Sequence, residues 1–264
     1  MSKPHRVLIT GASSGIGEAT AYAFAETGSA LFLVARRKDQ LTEVGNRCLI
    51  KGARQVCCQV HDLSVPNQGT VIVQNCLQEL GGLEVLICNA GYGIYGPVSE
   101  ILPKDMKRIW QVNFQSGYES IHTALPHLMN RKEAHVILIS SILGKKSLPY
   151  VAPYCVSKTA QVSLGNALWA ELKKKRVHVS VICPGFTATE FQEKAKKTPT
   201  AKNIRRFGGG QSPQIVARSI LQAIDKKHRE VHLTLVGKIF CFMERLSPSI
   251  TSWLTYWFID RHYK

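Results

Sequence analysis

Tyr154 and Lys158 stand four positions apart in "PYCVSK" (153–158). On a helix this spacing puts both side chains on one face, a turn apart. A free phenol has a pKa near ~10 and is a poor acid or base at neutral pH. A neighbouring ammonium stabilises the phenolate and lowers that value, so the pair suits general acid–base work on a carbonyl or an alcohol. Ser141, upstream at the end of "LISS", could hydrogen-bond the same substrate oxygen. Successive strand residues alternate sides, so only one of Ser141 and its neighbour Ser140 can point into the site. Tyr150 is the rival phenol, but it lies eight positions from Lys158, two helical turns away. Pro149 and Pro153 fit best before or in a first turn. They place Tyr150 in the preceding loop, where it is expected to shape a pocket.

A pair of this kind needs a scaffold, and the pattern supplies one. Short apolar runs at 6–10, 30–35, 55–60, 83–88, 135–140, 177–183 and 230–235 are rich in Val, Ile and Leu. They are continuously apolar, as strands buried on both faces are. Helical stretches at 16–27, 65–80, 104–129, 152–174 and 213–226 separate them. The expectation is an α/β fold with a doubly wound, mostly parallel seven-stranded sheet of Rossmann type, helices on both faces, in a single domain. Residues 1–236 form that domain, and 237–264 an extension. One stretch, 186–211, basic and Gly-rich, reads as a long mobile excursion, and such loops are usually functional or disordered.

"VLITGASSGIG" (7–17) follows the first apolar run and leads into a helix. Gly11, Gly15 and Gly17 allow a tight turn and close approach of a pyrophosphate, with Ser13, Ser14 and Ile16 at the helix start, where free N–H groups and the dipole favour anions. The second run ends "LVARRKD". An acid there would bind a ribose 2′-hydroxyl and indicate NAD. Arg36 and Arg37 occupy that place, and guanidinium groups pair instead with a 2′-phosphate, so NADP(H) is the expected cofactor.

The order and spacing of further motifs carry a family resemblance. "TGASSGIG" (10–17), "DL" (62–63), "NAG" (89–91), Asn113, Ser141, "YCVSK" (154–158) and "PGFTAT" (184–189) together resemble the short-chain dehydrogenase/reductase family over roughly residues 5–236. The resemblance implies a catalytic set of Asn113, Ser141, Tyr154 and Lys158. Tyr154 would donate the proton in reduction, Lys158 would lower its pKa and hold the nicotinamide ribose, Ser141 would orient the carbonyl, and Asn113 would hold a water leading from Lys158 to solvent. Asp62 and Leu63 would border the adenine, Asn89, Ala90 and Gly91 would line the cofactor, and Pro184, Gly185 and Thr187 would touch its nicotinamide end. The activity implied is NADPH-dependent interconversion of a carbonyl and a secondary alcohol. The alternative, a non-catalytic NADP-binding regulator, has no need of the acid–base group.

Tyr92, Ile94, Tyr95, Leu148, Tyr150, Phe186 and Phe191 are the expected pocket residues, an apolar and partly aromatic set suited to a lipophilic substrate. The last thirty residues are apolar and aromatic, with Trp253, Tyr256, Trp257 and Phe258 close together and Lys238, Glu244 and Arg245 interrupting them. They read as two short amphipathic helices that pack on the domain, on a partner subunit, or on a membrane surface. The family resemblance implies a homodimer or homotetramer.

The charge is uneven: 13 Lys+Arg against 10 Asp+Glu in 1–132, and 21 against 8 in 133–264, which leaves +3 and +13 of the net +16. Such an imbalance suits an anionic partner or a solvated basic surface. No nucleic-acid motif accompanies it, and none is expected to bind. Eight cysteines without a CxxC pair or a Cys/His ligand spacing argue against a metal site and for reduced thiols. The expected location is cytoplasmic, peripheral on membranes if the C-terminal segment binds lipid: no secretory signal is read at "MSKPHR", and no apolar run reaches the ~18–20 residues of a spanning helix.

Overall fold

The computed structural model describes residues 3–201 and 210–262. In chain order the elements are β1 (Arg6–Thr10), α1 (Gly15–Ala25), β2 (Ala30–Ala35), α2 (Lys38–Ile50), β3 (Gln55–Val60), α3 (Gln68–Leu80), β4 (Val85–Cys88) and β5 (Ile94–Tyr95). There follow α4 (Pro103–Trp110), a π turn (Gln111–Gln115), α5 (Ser116–Met129), β6 (Ala134–Ile139), α6 (Ala152–Leu172), β7 (Val177–Cys183) and β8 (Lys196–Lys197). The chain continues through α7 (Pro213–Lys226), β9 (Glu230–His232), α8 (Leu235–Leu246) and α9 (Pro248–His262).

Seven strands form one sheet in the order β3-β2-β1-β4-β6-β7-β9, with every pairing parallel. The order reverses between β1 and β4, which opens a crevice beyond the strands' C-terminal ends. Both faces are covered. Leu8, Phe32, Leu86, Leu138 and Val181 pack on the side of α3, α5 and α6. Val7, Ile9, Leu31, Leu33, Ile87 and Ile182 pack on the side of α1, α2 and α7. Continuous burial of β1, β2, β4 and β6 accounts for the unalternating apolar runs, since each strand needs both sets of side chains in a core.

The sequence pattern and the structure differ at four places. The helix expected over 104–129 is divided by the π turn, which alters the helical register at Asn113. Helix α2, mostly polar, was not read as a helix. The strand expected over 230–235 stops at His232, because Thr234 caps α8, its hydroxyl accepting from Gly237 N at 3.0 Å. The excursion is built in along its first half: β8 pairs with β5, Lys196 reaches Asp105 at 2.6 Å, and Thr200 bonds Glu100. Residues 202–209 of that excursion lie outside the described residues, and Gln211 at its end donates to Phe186 O at 2.9 Å.

All eight cysteines are free thiols. Among the described residues no helix is long and apolar enough to cross a membrane, and no cluster of three metal-ligating side chains occurs.

Candidate active site

A cavity of about 410 Å³ lies along the C-terminal ends of the strands. Its wall takes Arg36 and Arg37 after β2, Asn89 to Gly91 after β4, Ser140 and Ser141 after β6, and Pro184 to Thr187 after β7. Gly11, Ser13, Ser14, Gly15 and Ile16 floor one end, with Asp62 and Leu63 beside Arg36 and Arg37, while Tyr154 and Lys158 lie at the other.

The glycine turn is held by its surroundings. Gly11 sits at φ +68°, and a Cβ there would come within 2.9 Å of Ala90 Cα. Gly17 does not line the cavity: a Cβ on it would stand 2.2 Å from Gly11 O, so it is the close approach of α1 to the turn that requires this glycine. Asn89 Nδ2 donates to the carbonyls of Thr10 and Gly11 at 2.8 and 3.2 Å, tying the ends of β1 and β4 together beneath the groove. A backbone-walled trough that a Cβ would fill, ending at the N-terminus of α1 and flanked by two arginines, fits a dinucleotide.

Helix α6 carries Tyr154 and Lys158. Pro153 lies in its first turn, Tyr154 follows, and Lys158 comes one turn later. Ser141 caps the short turn after β6, its hydroxyl accepting from Leu143 N at 3.1 Å, and it lies close enough to the Tyr154 phenol to act on its pKa. Ser140 faces away: its hydroxyl donates to Lys158 O at 2.8 Å. Of the two serines, it is therefore Ser141 that meets the phenol.

Burial pushes the Tyr154 phenol well above its ordinary pKa, and Ser141 offsets only part of this. The Lys158 ammonium lies 5.6 Å from the tyrosine ring centroid, over the ring. Desolvation is the largest influence on the phenol, and it also drives Lys158 itself down to about 7.

Asn113 is buried and does not line the cavity. Its side chain accepts from Tyr92 N at 3.0 Å and donates to Tyr92 O at 3.0 Å and Ser157 Oγ at 3.1 Å. The π turn lets it knit the loop after β4 to α6. Gln161, which sequence reasoning missed, joins Asn113 O to Lys158 Nζ. It lies three residues after Lys158, a spacing that pointed to it.

Four of the expected pocket residues, Tyr92, Tyr95, Phe186 and Phe191, line the cavity. Ile94, Leu148 and Tyr150 do not. Ile94 is turned into the interior, where strand alternation leaves Tyr95 to face the cavity. Tyr150 takes a left-handed conformation at φ +64° and its carbonyl accepts from Gly96 N at 2.7 Å, which carries the 148–150 loop along the rim. Val112, Ile142, Leu143 and Thr189 complete the apolar wall. Phe191 closes over the tyrosine in an edge-on ring contact with centroids 5.3 Å apart.

Arg37 is engaged across the groove. Its guanidinium donates to Ser14 Oγ at 2.6 Å, Ser13 Oγ at 3.2 Å and Glu190 Oε2 at 3.1 Å. Glu190 belongs to the loop after β7, so the pair spans the mouth.

Comparison with known proteins accords with this geometry. The family model described as short chain dehydrogenase matches residues 5–200. A "Dehydrogenase/reductase SDR family protein 7-like" from Anopheles gambiae is 34% identical, covering 94% of this chain and 81% of its own. The rat "17-beta-hydroxysteroid dehydrogenase 13" is 32% identical, covering 92% and 81%. Among solved structures, a short-chain dehydrogenase/reductase from Burkholderia phymatum in complex with NAD superposes with a TM-score of 0.82 at 22% identity, covering 92% of this chain and 94% of that one. A short-chain dehydrogenase from Sphingobium yanoikuyae in complex with NADPH gives 0.78 at 25% identity, covering 87% of each. The chain belongs to the short-chain dehydrogenase/reductase family, oxidoreductases acting on CH–OH and C=O groups.

Proposed function

We propose that this protein is an NADP(H)-dependent carbonyl reductase for lipophilic ketones or aldehydes, with Tyr154 as its general acid. The observation that carries the reading is the meeting of Ser141, Tyr154 and Lys158 at one end of a cavity whose other end holds a glycine turn and two arginines. The nicotinamide dinucleotide supplies the hydride when bound. Ser13, Ser14 and the α1 N-terminus would hold its pyrophosphate, Arg36 and Arg37 a 2′-phosphate, Asp62 and Leu63 the adenine side, and Lys158 the ribose next to the nicotinamide.

The chain's own residues do the rest. Ser141 and Tyr154 converge on one point with two hydroxyls, so a substrate oxygen there accepts from both. The raised phenol pKa keeps Tyr154 protonated at neutral pH, which suits it to donate to the oxygen as negative charge develops. Phe191, Phe186, Tyr92 and Tyr95 keep the site apolar, which strengthens those hydrogen bonds and selects apolar substrates. The relative named for 17β-hydroxysteroids is consistent with a bulky lipophilic ketone.

A panel of ketones and aldehydes followed by NADPH absorbance, with Tyr154→Phe alongside, tests the proposal. Tyr154→Phe should abolish turnover and retain NADPH binding; turnover in the variant would refute the assignment.

The C-terminal helices support a further element of the reading, a docking surface for membrane lipid. Leu235, Ile239, Phe242 and Leu246 are exposed along α8, and Ile250, Trp253, Tyr256 and Trp257 along α9. Lys146 pins the pair beside the cavity's Ile142 and Leu143, bonding Glu244 at 3.0 Å and Ser252 at 2.7 Å. The side chains of Arg245 and Phe258 lie outside the described residues. Apolar and aromatic faces on a basic protein suit an anionic bilayer interface. Flotation with anionic liposomes tests this, and absence of binding at low salt discards it. On this reading the protein is cytoplasmic and peripheral, and residues 237–264 form a separate C-terminal extension. It assembles as a homodimer or homotetramer, which sedimentation would measure.

A further inference from the structure

Lys158 is almost fully buried and has three N–H donors to place. Two are used inside the protein: one on Ile139 O at 2.7 Å and one on Gln161 Oε1 at 3.0 Å. Among the described residues the cavity's carboxylates are Asp62 and Glu190, and neither is among the groups that act on the ammonium. The titratable groups that face the ammonium are Tyr154 on its own helix, Cys88 at the end of β4 and Cys183 at the end of β7. Burial pushes both thiols up to about 12, so they are neutral and offer no compensating charge.

Gln161 is therefore the strongest side-chain acceptor Lys158 has, and it is not free to turn. Its amide nitrogen donates to Asn113 O at 2.8 Å, which fixes its oxygen towards the lysine. Asn113 in turn is bound by Tyr92 and Ser157 within the π turn. A carboxamide held at one end and aimed at a buried cation is a built arrangement: each polar atom has a partner, and loss of either end strands a buried group.

We propose that Gln161 is a positioning residue for the reaction, holding Lys158 as a cation with its third N–H directed at the cofactor, and using the π-turn carbonyl of Asn113 as the anchor. The inference rests on the oxidoreductase reading for its catalytic meaning, yet the hold on Lys158 can be measured without cofactor. It also gives the π turn a task, since a regular helix through 111–115 would present different carbonyls to α6.

The test is a pH titration of cofactor-free protein labelled with ¹³C at the lysine ε-carbon, read by NMR. Wild type should show one lysine titrating near pH 7, far below the rest, and missing in Lys158→Met. Gln161→Glu places a carboxylate on the ammonium and should move that midpoint up by about 1–3 units. Gln161→Leu removes the acceptor and should move it down. The pH above which NADPH affinity falls, read by fluorescence titration, should shift in the same two directions. Opposite displacements by two side chains of similar size are not produced by a residue that only packs.

If Gln161→Leu fails to fold, Gln161→Asn, too short to bridge, supplies the downward arm, with thermal melts as the control. Midpoints that stay fixed, or move together, would overturn the inference while leaving NADPH binding and turnover intact. Midpoints that split as expected in a protein that neither binds NADPH nor reduces carbonyls would instead overturn the oxidoreductase reading and keep the hold on Lys158.

Discussion

Replacing Arg37 with alanine should weaken NADPH and leave NADH almost unchanged. In the free protein the guanidinium is partly exposed and shared among Ser13, Ser14 and Glu190. A 2′-phosphate arriving beside it would form a charge-assisted, bidentate contact worth roughly 1.5–3 kcal/mol. At about 1.4 kcal/mol per factor of ten, that is roughly a 10- to 100-fold rise in the NADPH dissociation constant. The competing pair with Glu190 bridges two exposed groups, and solvent screens it, so it subtracts little. Glu190→Gln then becomes the counterpart: it frees the guanidinium and should tighten NADPH by a few-fold at most. The assay is cofactor fluorescence titration at fixed ionic strength, with both dinucleotides, on wild type and the two variants. Equal losses for NADPH and NADH in Arg37→Ala would show that the side chain serves the shared pyrophosphate end. No loss for either would leave only Arg36 as the phosphate ligand. Either result refutes the reasoning for Arg37.

Two further outcomes follow from packing and burial. Gly17→Ala should lower the melting temperature and abolish cofactor binding, because the added methyl meets Gly11 O at 2.2 Å and neither backbone can move aside; an unchanged melt would mean that α1 is displaced at no cost. Protein stability should fall as pH drops through 6.5. His135, buried among His5, His178, Glu133 and Lys227, is pushed down to about 3, chiefly by burial. Between the two values the unfolded chain binds a proton that the native one does not, at up to ~1.4 kcal/mol per pH unit. Urea midpoints at pH 7 and 5 should converge in His135→Asn, and an equal acid loss in the variant would place the effect elsewhere.

How much was legible in the sequence depended on the range of the interaction. The β1–α1 turn, the strand runs other than the end of the last one, and the Tyr154–Lys158 pair are local patterns, and each was found where its spacing put it. Strand alternation allowed only one of Ser140 and Ser141 to face the site, and the family resemblance named Ser141. The errors came from contacts between distant segments. Tyr150 and Leu148 are close to Tyr154 in the chain, yet the bond from Gly96 to Tyr150 O draws their loop to the rim. Ile94 was read as a pocket residue until β8, arriving from a hundred residues later, made a strand of it and fixed which neighbour faces inwards.

Taken alone, the amino-acid order determined the parallel α/β layering, the glycine turn and the Tyr154–Lys158 pairing, because these rest on continuous apolar runs, a spacing of four residues, and glycine and proline geometry. The tertiary structure decided the states of those groups. Burial, which no short pattern encodes, raises the Tyr154 phenol and lowers the Lys158 ammonium. The packing of the π turn against α6 brings Asn113 and Gln161 together across 48 residues and settles what holds the lysine. Desolvation and long-range hydrogen bonds depend on what the rest of the chain places alongside, and only the folded molecule supplies that.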